Sequence, residues 1–140
     1  VQLNLQHSLK SHLEAKLGMP VVWIFDGVEL PNVKPFITIE QMQNNNDVLS
    51  KQQEAIETVF RFQIGFHADT ASNRARGQEV MRRSFFGKKI PLLDAESGEQ
   101  LGFFSVVITS EVPLGTDDPS DKTKYHRVYF DVEITRTFNY

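Results

Sequence analysis

In Thr58-Val59-Phe60-Arg61-Phe62-Gln63-Ile64-Gly65-Phe66-His67-Ala68 large apolar side chains recur at every second residue from Phe60 on. Phe60, Phe62, Ile64 and Phe66 share one face at a period of two, and Arg61, Gln63 and His67 share the other. This is the pattern of a strand that turns one face to a core and one to water. Asp69-Thr70-Ala71-Ser72 follows at once and offers side-chain oxygens for a helix N-cap. A helix over about 73–85 is predicted, with Gly77, Val80, Met81 and Ser84 on a narrow inner face and the arginines mostly outside it. A half-buried strand running straight into a helix predicts helices packed on a sheet.

The segments before this unit extend the same picture. Leu5, Leu9, Leu13 and Leu17 recur every four residues, while Lys10, Glu14 and Lys16 lie off the stripe. This predicts an amphipathic helix of about four turns, stopped at Gly18 with Pro20 preventing a restart. Val21-Val22-Trp23-Ile24-Phe25 predicts a short buried strand, and Asp26-Gly27 a turn. Pro31 and Pro35 hold the chain extended until Phe36-Ile37-Thr38-Ile39-Glu40 resumes a strand. Asn44-Asn45-Asn46-Asp47 is expected to be a loop, and the polar stretch to Glu57 to be mobile.

Beyond the second helix, Ile90-Pro91-Leu92-Leu93 and residues 101–110 flank Ser97-Gly98 and predict a hairpin. Residues 111–124 carry Pro113, Gly115 and Pro119 and are expected to form a loop that orders only on assembly. In the final segment, 125–138, Val128, Phe130, Val132, Ile134 and Phe138 point one way; Tyr129, Asp131, Glu133, Thr135 and Thr137 point the other. Fourteen extended residues reach about 46 Å, against about 37 Å for the diameter of a domain this size. An unbent strand therefore carries its end and the preceding loop beyond the body; a bulge would keep it inside. The expected order is α-β-β-β-α-β-β-β, with short connections suited to antiparallel pairing. Residues 1–140 then make one α+β domain, a mainly antiparallel sheet with two helices on one face and a projecting hairpin or loop.

Composition narrows the function. The 140 residues carry a formal charge of −3 and a pI near 5.8, which argues against general nucleic-acid binding. No apolar run approaches membrane-spanning length, and Val1-Gln2-Leu3-Asn4 lacks the features of a signal peptide. With no cysteine, disulfides, thiolate metal sites and cysteine nucleophiles are excluded within this chain, as suits a reducing cytoplasm.

Charge is sorted along the chain. Residues 74–89 hold six basic side chains (Arg74, Arg76, Arg82, Arg83, Lys88, Lys89) and one acid, Glu79; residues 90–121 hold seven acids and no Lys or Arg. A basic block beside an acidic block permits head-to-tail contact between copies, which makes rings where the rotation closes. It equally permits two solvated faces, or pairing within one subunit. Arg74, Arg76, Arg82 and Arg83, with Glu111, Asp117, Asp118 and Asp121, are the candidate subunit interface.

Catalytic patterns are sparse. His7 and His12 do not share a helical face, and HExxH, P-loop and GxSxG spacings are absent. His67 with Asp69 offers two metal-type ligands, which is not a site. Asp131 and Glu133 share the polar face of the last strand, where acid–base work would need burial to split them. The basic helix could contact phosphates, but its aromatics, Phe85 and Phe86, interleave poorly for stacking on single strands. Trp23, Phe25 and the Phe60–Phe66 row read as core, with a ligand pocket as the alternative.

Taken together, "DGVELP…KPFITIE" (26–40), "TVFRFQIGFHAD" (58–69) running into "SNRARGQEVMRR" (72–83), and "YHRVYFDVEITRT" (125–137) resemble the tail-completion proteins of long-tailed bacteriophages. These are also called tail terminators or tail-to-head joining proteins. The strand–helix unit of 59–83 carries most of the resemblance, and 125–137 the next part. Small neck and baseplate proteins share a similar rhythm. The resemblance implies a structural virion protein, not an enzyme, with no cofactor, assembled in the host cytoplasm. Such proteins form a hexameric ring in the assembled virion and can be monomeric until a tail end templates them. The ring caps the tail tube, stops its polymerisation and meets the head connector or stopper protein. DNA passes through it without specific binding, and no membrane is involved. Another head–tail connector, or a small-ligand-binding α+β domain, are the alternative functions.

Overall fold

The alternating stretch 58–68 lies in the central strand of a six-stranded sheet. The computed structural model describes residues 1–25, 28–31, 33–49, 55–114 and 126–139. Its elements run α1 (Gln2–Leu17), β1 (Val21–Trp23), β2 (Phe36–Gln41), β3 (Asn45–Val48), β4 (Ala55–Ala68) and α2 (Ala71–Phe85). They continue through β5 (Ile90–Leu93), β6 (Gln100–Phe104), β7 (Val107–Leu114) and β8 (His126–Asn139). This is the α+β architecture expected, with the main sheet ordered β1-β2-β4-β8-β7, β3 also on β4, and β5-β6 as a separate hairpin.

Strands β4 and β8 form the spine, paired antiparallel over all fourteen residues from Ala55↔Asn139 to Ala68↔His126. Phe60, Phe62, Ile64 and Phe66 meet Ile134, Val132, Phe130 and Val128 on one face, and all eight are buried. The helices lie on that face. Leu5, Leu9 and Leu13 of α1 and Met81 and Phe85 of α2 join the same core. Gly18 ends α1 in the left-handed conformation at φ 65°, its N–H donating to the Glu14 carbonyl, a role that suits glycine because no Cβ opposes it. Thr70 caps α2 by accepting the Asn73 N–H at 3.1 Å. Helix α2 starts two residues earlier than the sequence pattern suggests. Val80, expected inside, is exposed, while Phe85 fills the inner face.

Several expectations need correcting. Strand β1 ends at Trp23, and Phe25 is exposed instead of core. Strands β1 and β2 are parallel, Val21↔Ile37 to Trp23↔Ile39, so the long connection between them returns the chain to the same end of the sheet. The asparagine run is not a loop: Asn45–Val48 is β3, paired with Ile56 to Val59. Between β2 and β3, residues 42–44 oppose residues 60 and 61, so β2 and β3 are one strand interrupted by a bulge. The Asn44 side-chain oxygen faces the Arg61 N–H at 3.4 Å, standing in for a ladder carbonyl. The run 101–110 is two strands, split at Ser105 and Val106, and β7 extends through Glu111 to Leu114, four residues expected to be loop.

Strand β8 carries no register break against β4, and the irregularity lies in β7, between Ile108 and Ser110. Every residue of β3, which pairs with the start of β4, is exposed. The loop expected to project, beyond Leu114, lies outside the described residues.

Candidate functional site

The basic helix α2 lies beside β7, and the two carry opposite charge. Gln78 and Arg82, four apart and so on one helical face, both reach Glu111. Arg82 Nε donates to both carboxylate oxygens at 2.9 and 3.0 Å, and Gln78 Nε2 to one at 3.0 Å. Glu79, three and four residues before its partners, accepts from Arg82 at 3.4 Å and Arg83 at 3.1 Å. Burial opposes ionisation of Glu111, but the Arg82 and Gln78 hydrogen bonds and the Arg82 charge outweigh it and hold its carboxyl below the usual range. Hydrogen bonding to Glu111, then its charge, raises the Arg82 guanidinium in turn. Arg74 Nη1 donates to the Leu114 carbonyl at 3.0 Å, pinning the other end of β7.

Of the pairings open in the sequence, Arg82 and Glu111 thus take the one within a single chain. Arg83 shares Glu79 with Arg82, and Arg76 is exposed with no ion pair among the described residues. Asp117, Asp118 and Asp121 lie outside the described residues.

Beside this network runs an open groove of about 910 Å³. Phe85, Val106 and Ile108 form its apolar floor, with Arg82, Arg83 and Lys88 along its margin. Phe86 and Val107 line it at 87% and 60% exposure. Sequence reasoning missed Phe86 as a surface residue. It follows the last residue of α2 in extended conformation (φ −63°, ψ 120°), which takes its side chain off the inner face that Phe85 fills.

A second exposed apolar surface follows β1, toward the other edge of the sheet. Phe25 and Val33 are 63% and 78% exposed, and Leu30 and the acidic Glu29 are exposed between them. Ile24 and Leu30 border a depression of about 230 Å³ on the sheet face away from the helices, with Thr38, His67 and Tyr129. His67 Nε2 lies 3.0 Å from Thr38 Oγ1, and its ring stacks on Phe36 at 4.5 Å. Burial, then the charges of Arg127 and Lys34, push His67 down to about 4, so the ring is neutral at physiological pH.

His67 and Asp69 do not converge: Asp69 accepts from the Asn73 side chain at 2.8 Å at the helix start. No group of three His, Cys, Asp or Glu is placed to hold a metal among the described residues. Asp131 is taken by Ser110 at 2.7 Å and Glu133 by Arg61 at 3.6 Å across the strands. Among the described residues no helix is long and apolar enough to cross a membrane. The charged groups near the groove are largely partnered with one another, which leaves apolar area and a few free charges as what the surface offers another molecule. No protein-family model matches this sequence, and no curated protein matches it.

Proposed function

We propose that this chain is a structural ring subunit of a long-tailed bacteriophage, a tail-completion protein. In this reading it caps the tail tube, ends its polymerisation and forms the tail side of the head–tail joint. The observation that carries the proposal is the pair of unlike apolar surfaces: Phe86 and Val107 by the β7 edge, Phe25 and Val33 after the β1 edge strand. Two different surfaces on one subunit suit head-to-tail contacts, which make a ring where the rotation closes. The resemblance of 59–83 and 125–137 to tail-completion proteins supplies the virion context. The role is structural and non-enzymatic. Its partners are other copies in a hexameric ring, the tail tube protein and the head connector or stopper. The ring sits in the virion neck after assembly in the host cytoplasm. DNA passes the ring without specific binding, since a net charge of −3 per copy repels it.

The test is to add the purified chain to tail tubes growing without a terminator and to image their ends by electron microscopy. Ring density on one end and arrested growth are expected. Tubes that elongate unchanged in the presence of folded chain overturn the proposal. A neck connector that does not bind bare tubes is separated by the same assay.

A further inference from the structure

The groove between α2 and β7 has an acid–base pattern that its own chain leaves incomplete. Glu79 and Glu111 are both engaged, by Arg82, Arg83 and Gln78. Lys88 lines the groove, is exposed, and has no ion pair among the described residues. Counting Arg82, Arg83 and Lys88 against Glu79 and Glu111, the lining carries one net positive charge. Its apolar lining includes the buried Phe85 and Val106 and the exposed Phe86. Scattered exposed apolar residues are ordinary, but an apolar floor joined to a nearly fully exposed phenylalanine marks a contact surface. An occupant that suits it is apolar and carries an acid.

The connection after β1 has that chemistry. Phe25, Leu30 and Val33 expose large apolar side chains, and Glu29 stands exposed among them with no ion pair among the described residues. Within one chain Ile24 and Leu30 border Thr38, His67 and Tyr129 on the sheet face away from the helices, whereas the groove lies between α2 and β7. The edge strands β1 and β7 stand at opposite ends of the sheet order. A subunit that carries groove and plug at separate places is suited to give the plug to a neighbour.

We infer that the groove receives the connection after β1 from a second copy of this chain. Phe25 and Leu30 pack against Phe86, and Glu29 faces Lys88. The inference rests on the head-to-tail assembly proposed above and names its contact. Arg82–Glu111 then acts inside the subunit, shaping the groove wall, and the free charges set which surface docks.

The test uses the whole chain, carrying a photoreactive benzoylphenylalanine at position 86 and mixed with an isotope-labelled copy at high concentration. The expected product joins position 86 of one copy to the peptide bearing Phe25, Glu29 and Leu30 of the other. A link only to other peptides, or no link between copies, overturns the inference. Sedimentation equilibrium adds a charge swap. Lys88→Glu and Glu29→Lys should each weaken self-association by about tenfold, and the double variant should restore it. Both sites are exposed, so near-ultraviolet circular dichroism should stay native. Single variants that associate like the parent, or a double variant without rescue, overturn the Glu29–Lys88 contact. Open-ended polymers joined through the same cross-link would uphold the contact and defeat the ring reading. Capped tubes with a cross-link elsewhere would do the reverse.

Discussion

Gly77 lies against the ring of Phe66 so closely that no side chain fits between them: a Cβ on residue 77 would fall 2.2 Å from both Cε1 and Cζ. The absent methyl lets α2 settle onto β4 and thereby places the basic helix beside β7. Gly77→Ala should gain about 1 kcal/mol in helix propensity. It should lose more to overpacking, which typically costs about 1–3 kcal/mol. Urea unfolding should show net destabilisation, and pairing the change with Phe66→Leu should recover part of it. A Gly77→Ala variant more stable than the parent would refute the close contact.

Ser8 is a buried polar clasp between α1 and β5. Its hydroxyl accepts the Leu93 N–H at 2.7 Å and donates to the Asn4 carbonyl at 2.7 Å. Ser8→Ala leaves the Leu93 N–H without its acceptor, at a cost of about 1–3 kcal/mol. Hydrogen exchange at Leu93 should quicken well beyond the change at Phe62, which lies in the spine. Equal changes at both sites would mean that the clasp has no local role.

His67 makes stability depend on pH. It is 3% exposed and is held at about 4, below the ordinary 6.5, first by burial and then by Arg127 and Lys34. The unfolded chain therefore takes up the proton first as pH falls. Stability is complete above about pH 6.5 and declines toward pH 4, by about 1.4 kcal/mol per pH unit and about 3 kcal/mol in all. The imidazole should show no protonation by nuclear magnetic resonance at pH 5.5, and His67→Asn should flatten this part of the stability profile. Titration of the ring near 6.5 would contradict it.

Arg82 is exposed, so its pair with Glu111 contributes little to stability by itself. Its larger effect is on the groove wall. Glu111→Gln should lower the melting temperature by no more than a few degrees, and the deficit should shrink in high salt. It should also free Arg82, raising the mobility of its Nε–H in relaxation measurements. An Arg82 Nε–H as rigid in the variant as in the parent would show that Glu111 does not hold it.

Much of this architecture follows from short-range pattern. The alternation of Phe60, Phe62, Ile64 and Phe66, and of Val128, Phe130, Val132 and Ile134, determined two strands and their buried faces. A residue's side of a strand depends only on its parity. The leucines of α1 and the Thr70 cap of α2 were legible for the same reason, since helix faces and caps are set within a few residues. Pairing is another matter. The parallel union of β1 with β2 comes from where the chain returns after residue 35. The asparagine-rich β3 has no apolar period, and it is a strand because β4 offers it a ladder and Asn44 covers the bulge. Charge order along the chain displayed a basic and an acidic block, but it could not say that Arg82 would find Glu111 of its own chain, 29 residues away. Nor could it show a groove whose floor joins Phe85 to Val106 and Ile108. Periodicity is a property of one segment, whereas partners and concavities exist only once the packing of α2 on β4 has brought distant segments within a few ångströms.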